Sequence, residues 1–449
     1  MDKIELLRQR KAALEKAGER VRADIRSLCD ENGFVELSAF SFSAGEYGGD
    51  PAGEGVVTGF MTVEEYPFYV VAQNFAEGFG GLTKAHCEKI AKTLNAAEKN
   101  ETPVVWLLHS QGVKIGEGVN ALEGIAELLL KATQLKGTVP QYAVIGGEVY
   151  GAAAAIAALC DCVFFLKEGA LATASPLVLS AKAGKNLKKE EVGGYAALKN
   201  AGLPAIAVKD LEEVSAYLVK LTELFGIPVV DAELNVPAPA LNGKATAAEL
   251  CELLEGGIEL GANTSPEVKT VLGRLGGIAA AAVVFDNVKI NAQSVAKIRG
   301  FAELACCYGL PFVTFVDCVG IEQSLAVNDS AVLKEIAEYL NILDAIDTAK
   351  IAVVTGKAVG LGYSLFAAKS VGFDYTYALA TAEISLFESA AGAEIVYAGE
   401  KGNKAELIKR YAEEYADPVN AAKGGYLDNV LEPQFIKQYL IASLQTLVK

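Results

Sequence analysis

The sequence predicts an α/β protein built from two tandem copies of one unit, and two observations support this fold class. The first is a repeated pattern. Residues 142–175 read as an apolar strand, a glycine-containing turn, a small-residue helix and a second apolar strand. Residues 351–388 repeat this order, and the letters ALATA occur in both stretches. Each copy is therefore expected to be organised around this stretch.

The second observation is the nearly constant spacing between matching residues along the whole chain. Three pairs of landmarks lie 208 positions apart and a fourth lies 209 apart, namely Pro103 and Pro311, Gly112 and Gly320, Ala170 and Ala378, and finally Gly151 and Gly360. Accidental similarity would not keep this register, so we infer an internal duplication. We place the two domains at residues 1–235 and 236–449, with a proline-containing linker at 229–244.

The elements of the first copy follow from hydrophobic periodicity and turn residues. Residues 4–28 carry apolar side chains at helical spacing among alternating charges, which indicates one exposed helix. Residues 67–73 are apolar on both faces, which is typical of a central strand. The other predicted elements are strands at 33–37, 55–63, 103–108, 142–145 and 163–166, helices at 83–98, 120–131, 152–159 and 211–225, and a glycine turn at 146–151.

The second copy is predicted to repeat these elements in the same order. Residues 279–285 and 311–316 match the strands at 67–73 and 103–108, and a helix at 294–308 lies between them. Because both copies alternate strand, helix and strand, we expect parallel sheets with right-handed crossovers.

Composition excludes several classes of function. The chain has 449 residues, enough for two domains with cores of ordinary size. It carries 56 acidic against 40 basic residues, and no basic cluster alternates with aromatics, so we expect no nucleic-acid partner. No run of about 20 apolar residues occurs, and the N-terminus is charged throughout. We therefore expect a cytoplasmic protein.

The sequence offers little material for a metal site or a histidine-based triad. Its only histidines are His86 and His109, and its eight cysteines include no CxxC pair. We expect reduced cysteines and no metal.

The glycine-containing turns are the candidate functional elements. Glycine at a strand-to-helix junction allows close backbone approach, and the first N–H groups of a helix have no partner inside it. Such groups can receive a developing negative charge, as an oxyanion hole does. A tightly packed crossover without catalytic function is the alternative interpretation.

Seven short stretches carry a resemblance to a known family. They are GFVEL at 33–37, GVVTG at 55–59, QNFAEGFGG at 73–81, HCEKI at 86–90, TFVD at 314–317, TAEI at 381–384 and GGYLDNVLEP at 424–433. Because these stretches occur in this order along the chain, it resembles the carboxyltransferase subunits of biotin-dependent acyl-CoA carboxylases and of the related decarboxylases. The resemblance implies two crotonase-like (ClpP/crotonase) domains, in agreement with the duplication.

The resemblance also implies a division of labour between the domains. Backbone N–H groups of the first domain would hold the acyl-CoA enolate, at Gly151 and Ala152, and those of the second would hold carboxybiotin, at Leu361 and Gly362. Chemistry that relies on such backbone donors needs no side-chain base at those points, which suits a chain with only two histidines. The further substrate-binding candidates are Gln111, Gly112, Gly147, Gly320, Gly360 and Ser364.

Partners are implied in the same way. The family's active site forms between the first domain of one subunit and the second domain of another, so a homo-oligomer from dimer to hexamer is expected, or a mixed assembly with a second carboxyltransferase chain. The family's biotin acceptor is Met-Lys-Met, whereas the only methionines here are Met1 and Met61. Biotin must therefore come on a separate biotin carboxyl carrier protein. Membrane-bound decarboxylase subunits are a further partner class.

The chain departs from the family pattern around the expected site. Residues 110–114 read SQGVK where the family has SGGAR, and residues 316–321 read VDCVGI where it has VDVPGF. A Gly-Gly pair has become Gly151 and Ala152, an acidic pocket residue falls at Ser364, and residues 334–340 replace a histidine-containing helix. A changed acyl substrate would explain these differences, and so would loss of catalysis in a chain that serves as a scaffold.

A biotin-independent crotonase-type lyase or isomerase is the remaining enzymatic alternative. Glu117 or Glu148 would then be its acid or base. The duplication argues against it, because one crotonase unit suffices for that chemistry.

Overall fold

The computed structural model describes residues 2–41, 55–199, 201–226, 245–322, 330–400 and 402–447. The chain divides into two compact units, Met1–Glu223 and Leu224–Lys449. The linker predicted at residues 229–244 lies outside the described residues.

The first unit alternates strands and helices after an N-terminal helical pair. Its helices are α1 Lys3–Ala17, α2 Glu19–Leu28, α3 Lys84–Asn100, α4 Val119–Gln134, α5 Ala152–Leu159, α6 Pro176–Ala183, α7 Lys189–Gly193 and α8 Leu211–Gly226. Its strands are β1 Phe34–Leu37, β2 Val56–Val63, β3 Tyr66–Gln73, β4 Val104–Ser110, β5 Gln141–Tyr150, β6 Cys162–Phe165, β7 Ala170–Ala172 and β8 Ala205–Ala207.

The second unit repeats this succession with one additional strand. Its helices are α9 Ala247–Glu252, α10 Ala292–Cys307, α11 Ser330–Ala345, α12 Leu361–Phe366, α13 Ser389–Val396, α14 Lys404–Tyr411, α15 Pro418–Lys423 and α16 Ile436–Leu447. Its strands are β9 Glu255–Glu259, β10 Val268–Leu275, β11 Ile278–Phe285, β12 Val288–Ile290, β13 Phe312–Ile321, β14 Lys350–Val359, β15 Tyr375–Leu379, β16 Glu383–Ser385 and β17 Asn429–Leu431.

The two sheets have the same strand order, which confirms the internal duplication. The first runs β1-β2-β3-β4-β5-β6-β8, with β7 paired to β5. The second runs β9-β10-β11-β13-β14-β15-β17, with β16 paired to β14 and the additional β12 paired to β13. In each unit apolar helices cover the central strands, and Trp106 on β4 lies fully buried in the first core.

The prediction of parallel sheets is correct only for the central strands. From β3 to β8 the strands pair in parallel, but β1, β2 and β3 are antiparallel neighbours. The cause is the connection between β2 and β3, which consists of Glu64 and Glu65, both at positive φ. A two-residue turn of this kind can join only antiparallel strands. Gly276 and Gly277 form the corresponding turn in the second unit.

The single helix predicted at residues 4–28 is wrong, because the structure divides it into α1 and α2 at Gly18. The Arg22 guanidinium lies against Gly18, where a Cβ atom would clash with it. That buried guanidinium donates to the Leu14 carbonyl at 2.9 Å and to both carboxylate oxygens of Glu36 at 2.8 and 2.9 Å. Arg22 therefore fixes α2 on the edge strand β1.

We expect Arg22→Ala to lower the free energy of unfolding by about 3 kcal/mol, because it removes a buried cation and leaves Glu36 and the Leu14 carbonyl without their donor. Denaturant unfolding followed by circular dichroism measures this loss. Arg8→Ala is the control, since Arg8 is exposed and only 3.8 Å from Glu5, and it should change the value by less than about 0.5 kcal/mol. Equal effects of the two variants would contradict the role assigned to Arg22.

Candidate functional site

Each unit has a helix that begins directly after a ten-residue parallel strand, β5 in the first unit and β14 in the second, and a glycine makes the turn. Gly151 precedes α5 with φ 62° and ψ −125°, and Gly360 precedes α12 with φ 53° and ψ −122°. A residue with a side chain is strained at such positive φ values, whereas glycine is not. The chain therefore reverses within one residue, and the helix starts at the carboxyl edge of the sheet.

The two cap glycines use their own N–H groups inside the unit. Gly151 donates to the Ala172 carbonyl at 3.1 Å, and Gly360 donates to the Ser385 carbonyl at 2.9 Å. The N–H of Gly151, which the resemblance implies as a donor to the thioester, therefore already has a partner inside the unit. The pairing of β7 with β5, and of β16 with β14, brings these acceptors into place.

The first two residues of each helix have N–H groups without a partner in the described part of the chain. These residues are Ala152 and Ala153 in α5, where the N–H of Ala154 also has none, and Leu361 and Gly362 in α12. The earliest N–H that bonds back to the cap belongs to Ala155 in α5, as the helical pattern requires. Ala153 is not among the candidates named from the sequence, although it is the residue 209 positions before the candidate Gly362.

A second glycine lies beside each cap. Gly112 and Gly320 have φ 113° and 101°, and Cβ atoms built on them would lie 3.6 and 3.5 Å from the carbonyls of Tyr150 and Val359. Those two carbonyls belong to the residues directly before the caps. The structure thus brings Gly112 close to Gly151, as the sequence predicted, and repeats the arrangement with Gly320 and Gly360.

Most of the glycine turn predicted at 146–151 and the candidate residue Gly320 instead lie in strands. Residues 146–150, including Gly147, belong to β5, because β7 pairs with Glu148–Tyr150 and continues the ladder. Gly320 lies inside β13, because the additional strand β12 pairs with Cys318 and Ile321. The backbone at both places is therefore held by sheet hydrogen bonds.

The polar candidates have simple local partners. The Gln111 amide donates to the Glu148 carboxylate at 2.7 Å, which ties the residue after β4 to β5. Glu117 accepts the N–H of Lys84 at 2.8 Å and so anchors the start of α3. The Ser364 hydroxyl is exposed and donates to the Gly360 carbonyl at 3.4 Å. None of these contacts gives Glu117 or Glu148 the arrangement of an acid–base pair.

A cavity of 290 Å³ opens at the carboxyl ends of the parallel strands in the first unit. Its wall is mainly apolar, and α2 contributes Arg20 and Asp24. His109, on β4, reaches it from the sheet and stacks on Phe75 with ring centroids 3.8 Å apart and planes at 15°. The imidazole lies over Gly147, where a Cβ would come within 2.5 Å of Nε2. Gly147 therefore makes room for the ring.

His109 is a functional candidate that the sequence interpretation missed. Burial, and after it the positive charge of Arg20, lower the pKa of His109 to about 4. The ring is therefore neutral at pH 7. The signal that could have identified it is a break in the repeat, because the matching position 208 residues later is Asp317.

Two further properties concern only the residues that the structure describes. Among them, no group of three or more His, Cys, Asp or Glu side chains is arranged to hold a metal ion. No helix within those ranges is long and apolar enough to cross a membrane.

Comparison with known proteins gives consistent matches over the whole chain. The family described as the carboxyl transferase domain matches residues 14–253 and 258–449. Methylmalonyl-CoA decarboxylase subunit alpha of Veillonella parvula is 27% identical over 99% of this chain and 96% of its own. Propionyl-CoA carboxylase beta chain of Cereibacter sphaeroides is 27% identical over 92% of this chain and 87% of its own.

The fold is also shared with a solved structure. The transcarboxylase 12S hexamer with methylmalonyl-coenzyme A bound superimposes with a TM-score of 0.87 at 22% identity, over 98% of this chain and 94% of that chain. This likeness confirms the two tandem crotonase-like domains predicted from the sequence.

The lowered pKa of His109 predicts how stability depends on pH. In the unfolded chain this histidine takes up a proton near pH 6.5, whereas the folded protein resists protonation until about pH 4. Stability should therefore fall as the pH drops from 6.5 to 4. The His109→Phe variant lacks this contribution. The difference in free energy of unfolding between variant and wild type should therefore change by ~2 kcal/mol between pH 6.5 and 4, after allowance for solvent around the half-buried ring. Urea unfolding at a series of pH values measures it, and a constant difference would contradict the prediction.

Proposed function

The chain belongs to the carboxyl transferase domain family, and on that premise we propose that it moves a carboxyl group between biotin and the α-carbon of an acyl-CoA. One observation carries the proposal, namely that each unit presents two adjacent backbone N–H groups at the start of a glycine-capped helix. The reaction develops negative charge on two oxygens, the thioester enolate and the ureido oxygen of biotin. Two pairs of fixed donors match that demand, and one such donor contributes about 3–4 kcal/mol to lowering a barrier.

We assign the acyl-CoA to the first unit and biotin to the second. Ala152 and Ala153 would then hold the thioester oxygen, and Leu361 and Gly362 the oxygen of biotin, with Gly151 and Gly360 shaping the backbone. Gln111, Gly112 and Gly147 would border the acyl-CoA side, and Gly320 and Ser364 the biotin side. The names of the relatives support an acyl-CoA substrate, since one is a methylmalonyl-CoA decarboxylase subunit and another a propionyl-CoA carboxylase chain.

Biotin itself would arrive on a separate carrier protein, since the chain has no Met-Lys-Met acceptor sequence. We further propose that the chain works as an oligomer, as the transcarboxylase 12S hexamer does. Large apolar side chains are exposed in both units, among them Ile115, three residues after Gly112, and Leu386, whose carbonyl lies 3.4 Å from a Cβ built on Gly360. A second subunit would cover such surfaces.

We expect the purified full-length protein to decarboxylate one member of a panel of malonyl-, methylmalonyl- and glutaconyl-CoA when free biotin is present. Transfer to biotin N1′ takes the carboxyl group from the α-carbon of malonyl- or methylmalonyl-CoA, or from the γ-carbon of glutaconyl-CoA, whose double bond conjugates that carbon with the thioester. That carbon receives the N1′ proton in exchange, and the unstable carboxybiotin then releases CO2. Mass spectrometry of the acyl-CoA follows the loss of its carboxyl group. A well-folded oligomer that turns over none of the three would favour a non-catalytic scaffold.

Leu361→Pro is expected to lower the turnover number by about 10²–10³-fold, because it removes one proposed donor N–H. Proline is tolerated at the first position of a helix, so the fold should persist. Leu361→Ala keeps the N–H and shortens an exposed side chain, so it should retain turnover within about threefold. Steady-state kinetics on the turned-over thioester compares the two. Gly362 is a poorer position for this test, since any Cβ there would meet the Cys318 Sγ at 2.8 Å.

A further inference from the structure

His109 differs from its counterpart in the second unit, and the fold does not require the difference. Asp317 occupies the matching position, where its Oδ1 accepts the N–H of Lys357 at 2.8 Å and its carboxylate lies against Gly356. In the first unit the imidazole takes the corresponding place over Gly147 and stacks on Phe75 instead. A shared backbone thus carries two different side chains, which indicates that the histidine serves something outside the fold.

The imidazole is available to a ligand. The described residues include no hydrogen-bond partner for either ring nitrogen, and the ring is half-buried and borders the 290 Å³ cavity. Its neutral form has one donor and one acceptor nitrogen. By contrast, His86 is buried, and its Nδ1 accepts the N–H of Thr83 at 3.3 Å.

The cavity combines features suited to a nucleotide. Apolar side chains of β4, β5 and α8 form its wall, and the exposed guanidinium of Arg20 stands at its rim, where it could pair with a phosphate. Asp24 is half-buried there and offers an acceptor to an exocyclic amine. A purine carries ring-nitrogen acceptors and such an amine, so these groups complement one another.

The cavity lies too far from the proposed thioester position to hold the acyl group. Gly146 borders the cavity and lies on β5, five residues before Gly151, which directly follows that strand. At about 3.3 Å per residue this corresponds to roughly 17 Å. The acyl chain of a short acyl-CoA held at Ala152 cannot reach that far, whereas the other end of the coenzyme can.

We propose that His109 is a specificity-determining residue that hydrogen-bonds the 3′-phosphoadenosine end of the bound acyl-CoA in this cavity, with Arg20 at the phosphate. This inference rests on the proposed function, because it requires a CoA thioester on the first unit. It adds a recognition residue that the carboxyl-transfer step does not itself use.

Protection from carbethoxylation by diethyl pyrocarbonate tests the contact in the full-length protein. The reagent modifies neutral imidazole, and peptide mass spectrometry distinguishes the two histidines. We expect saturating CoA to slow modification of His109 about tenfold, while pantetheine, which lacks the nucleotide, gives no protection. Dephospho-CoA separates the two contacts, because undiminished protection assigns His109 to the base and diminished protection assigns it to the 3′-phosphate region. His86 is the internal reference, since its slow modification should not change.

Binding measurements on variants give an independent test. His109→Phe keeps a flat ring over Gly147 and on Phe75 but removes both nitrogens, so we expect the Kd for CoA to rise about tenfold, as loss of one hydrogen bond does. His109→Asp introduces the residue found at the matching position of the second unit, and it should weaken CoA binding by a similar factor. Asp317→Asn, at the matching position of the other unit, should leave the Kd for CoA unchanged. Calorimetry with CoA and pantetheine gives these values.

Each other outcome overturns the inference in an identifiable way. If CoA binds with wild-type affinity to His109→Phe, or protects His109 no better than pantetheine does, the contact is absent while the proposed function stands. If the wild-type protein binds no CoA at all, the proposed function and this inference fall together. Unfolding of each variant in denaturant verifies that a changed Kd does not result from misfolding.

Discussion

Both candidate half-sites depend on one backbone constraint, the positive φ of the glycine that directly follows β5 in the first unit and β14 in the second. Gly151 and Gly360 reverse the chain within a single residue, and the following helix therefore begins at the edge of the sheet. A longer turn would carry the first N–H groups of α5 and α12 away from that edge. Because the cap glycines bond to Ala172 and Ser385, the short strands β7 and β16 hold the turns in place. The proposed donors belong to the main chain and are thus positioned by the fold itself.

The duplication separates structural residues from functional ones, since what the fold needs is kept in both copies. Lys89 and Lys297, 208 positions apart, are both buried and donate to main-chain carbonyls, at 2.7 Å to Val56 and at 2.6 Å to Val268. Buried ammonium groups must be paired in this way, so the pair is conserved between the units. His109 and Asp317 have no such common task, and they have diverged.

Main-chain chemistry also explains how the chain can depart from its family and keep a site. Every residue except proline supplies an N–H, so the change of a Gly-Gly pair to Gly151 and Ala152 adds a methyl group without removing a donor. Ser364 replaces an acidic residue, yet its hydroxyl bonds only to its own helix. These departures alter the shape and charge around the N–H groups. On the proposed assignment, the change at Ala152 would affect the acyl side and the change at Ser364 the biotin side.

The sequence by itself determined the duplication, the order of the elements and the location of the two helix starts, because hydrophobic period and glycine placement are local properties. It also carried the family resemblance. Three features needed the tertiary structure. Only the pairing of β7 with β5 reveals that the Gly151 N–H bonds to the Ala172 carbonyl, which is why the proposed donors are Ala152 and Ala153. Only β12 shows that Gly320 continues a strand. The cavity beside His109 combines residues from α2, β3, β4 and β5, which are distant in the chain, and such long-range contacts leave no local pattern to read.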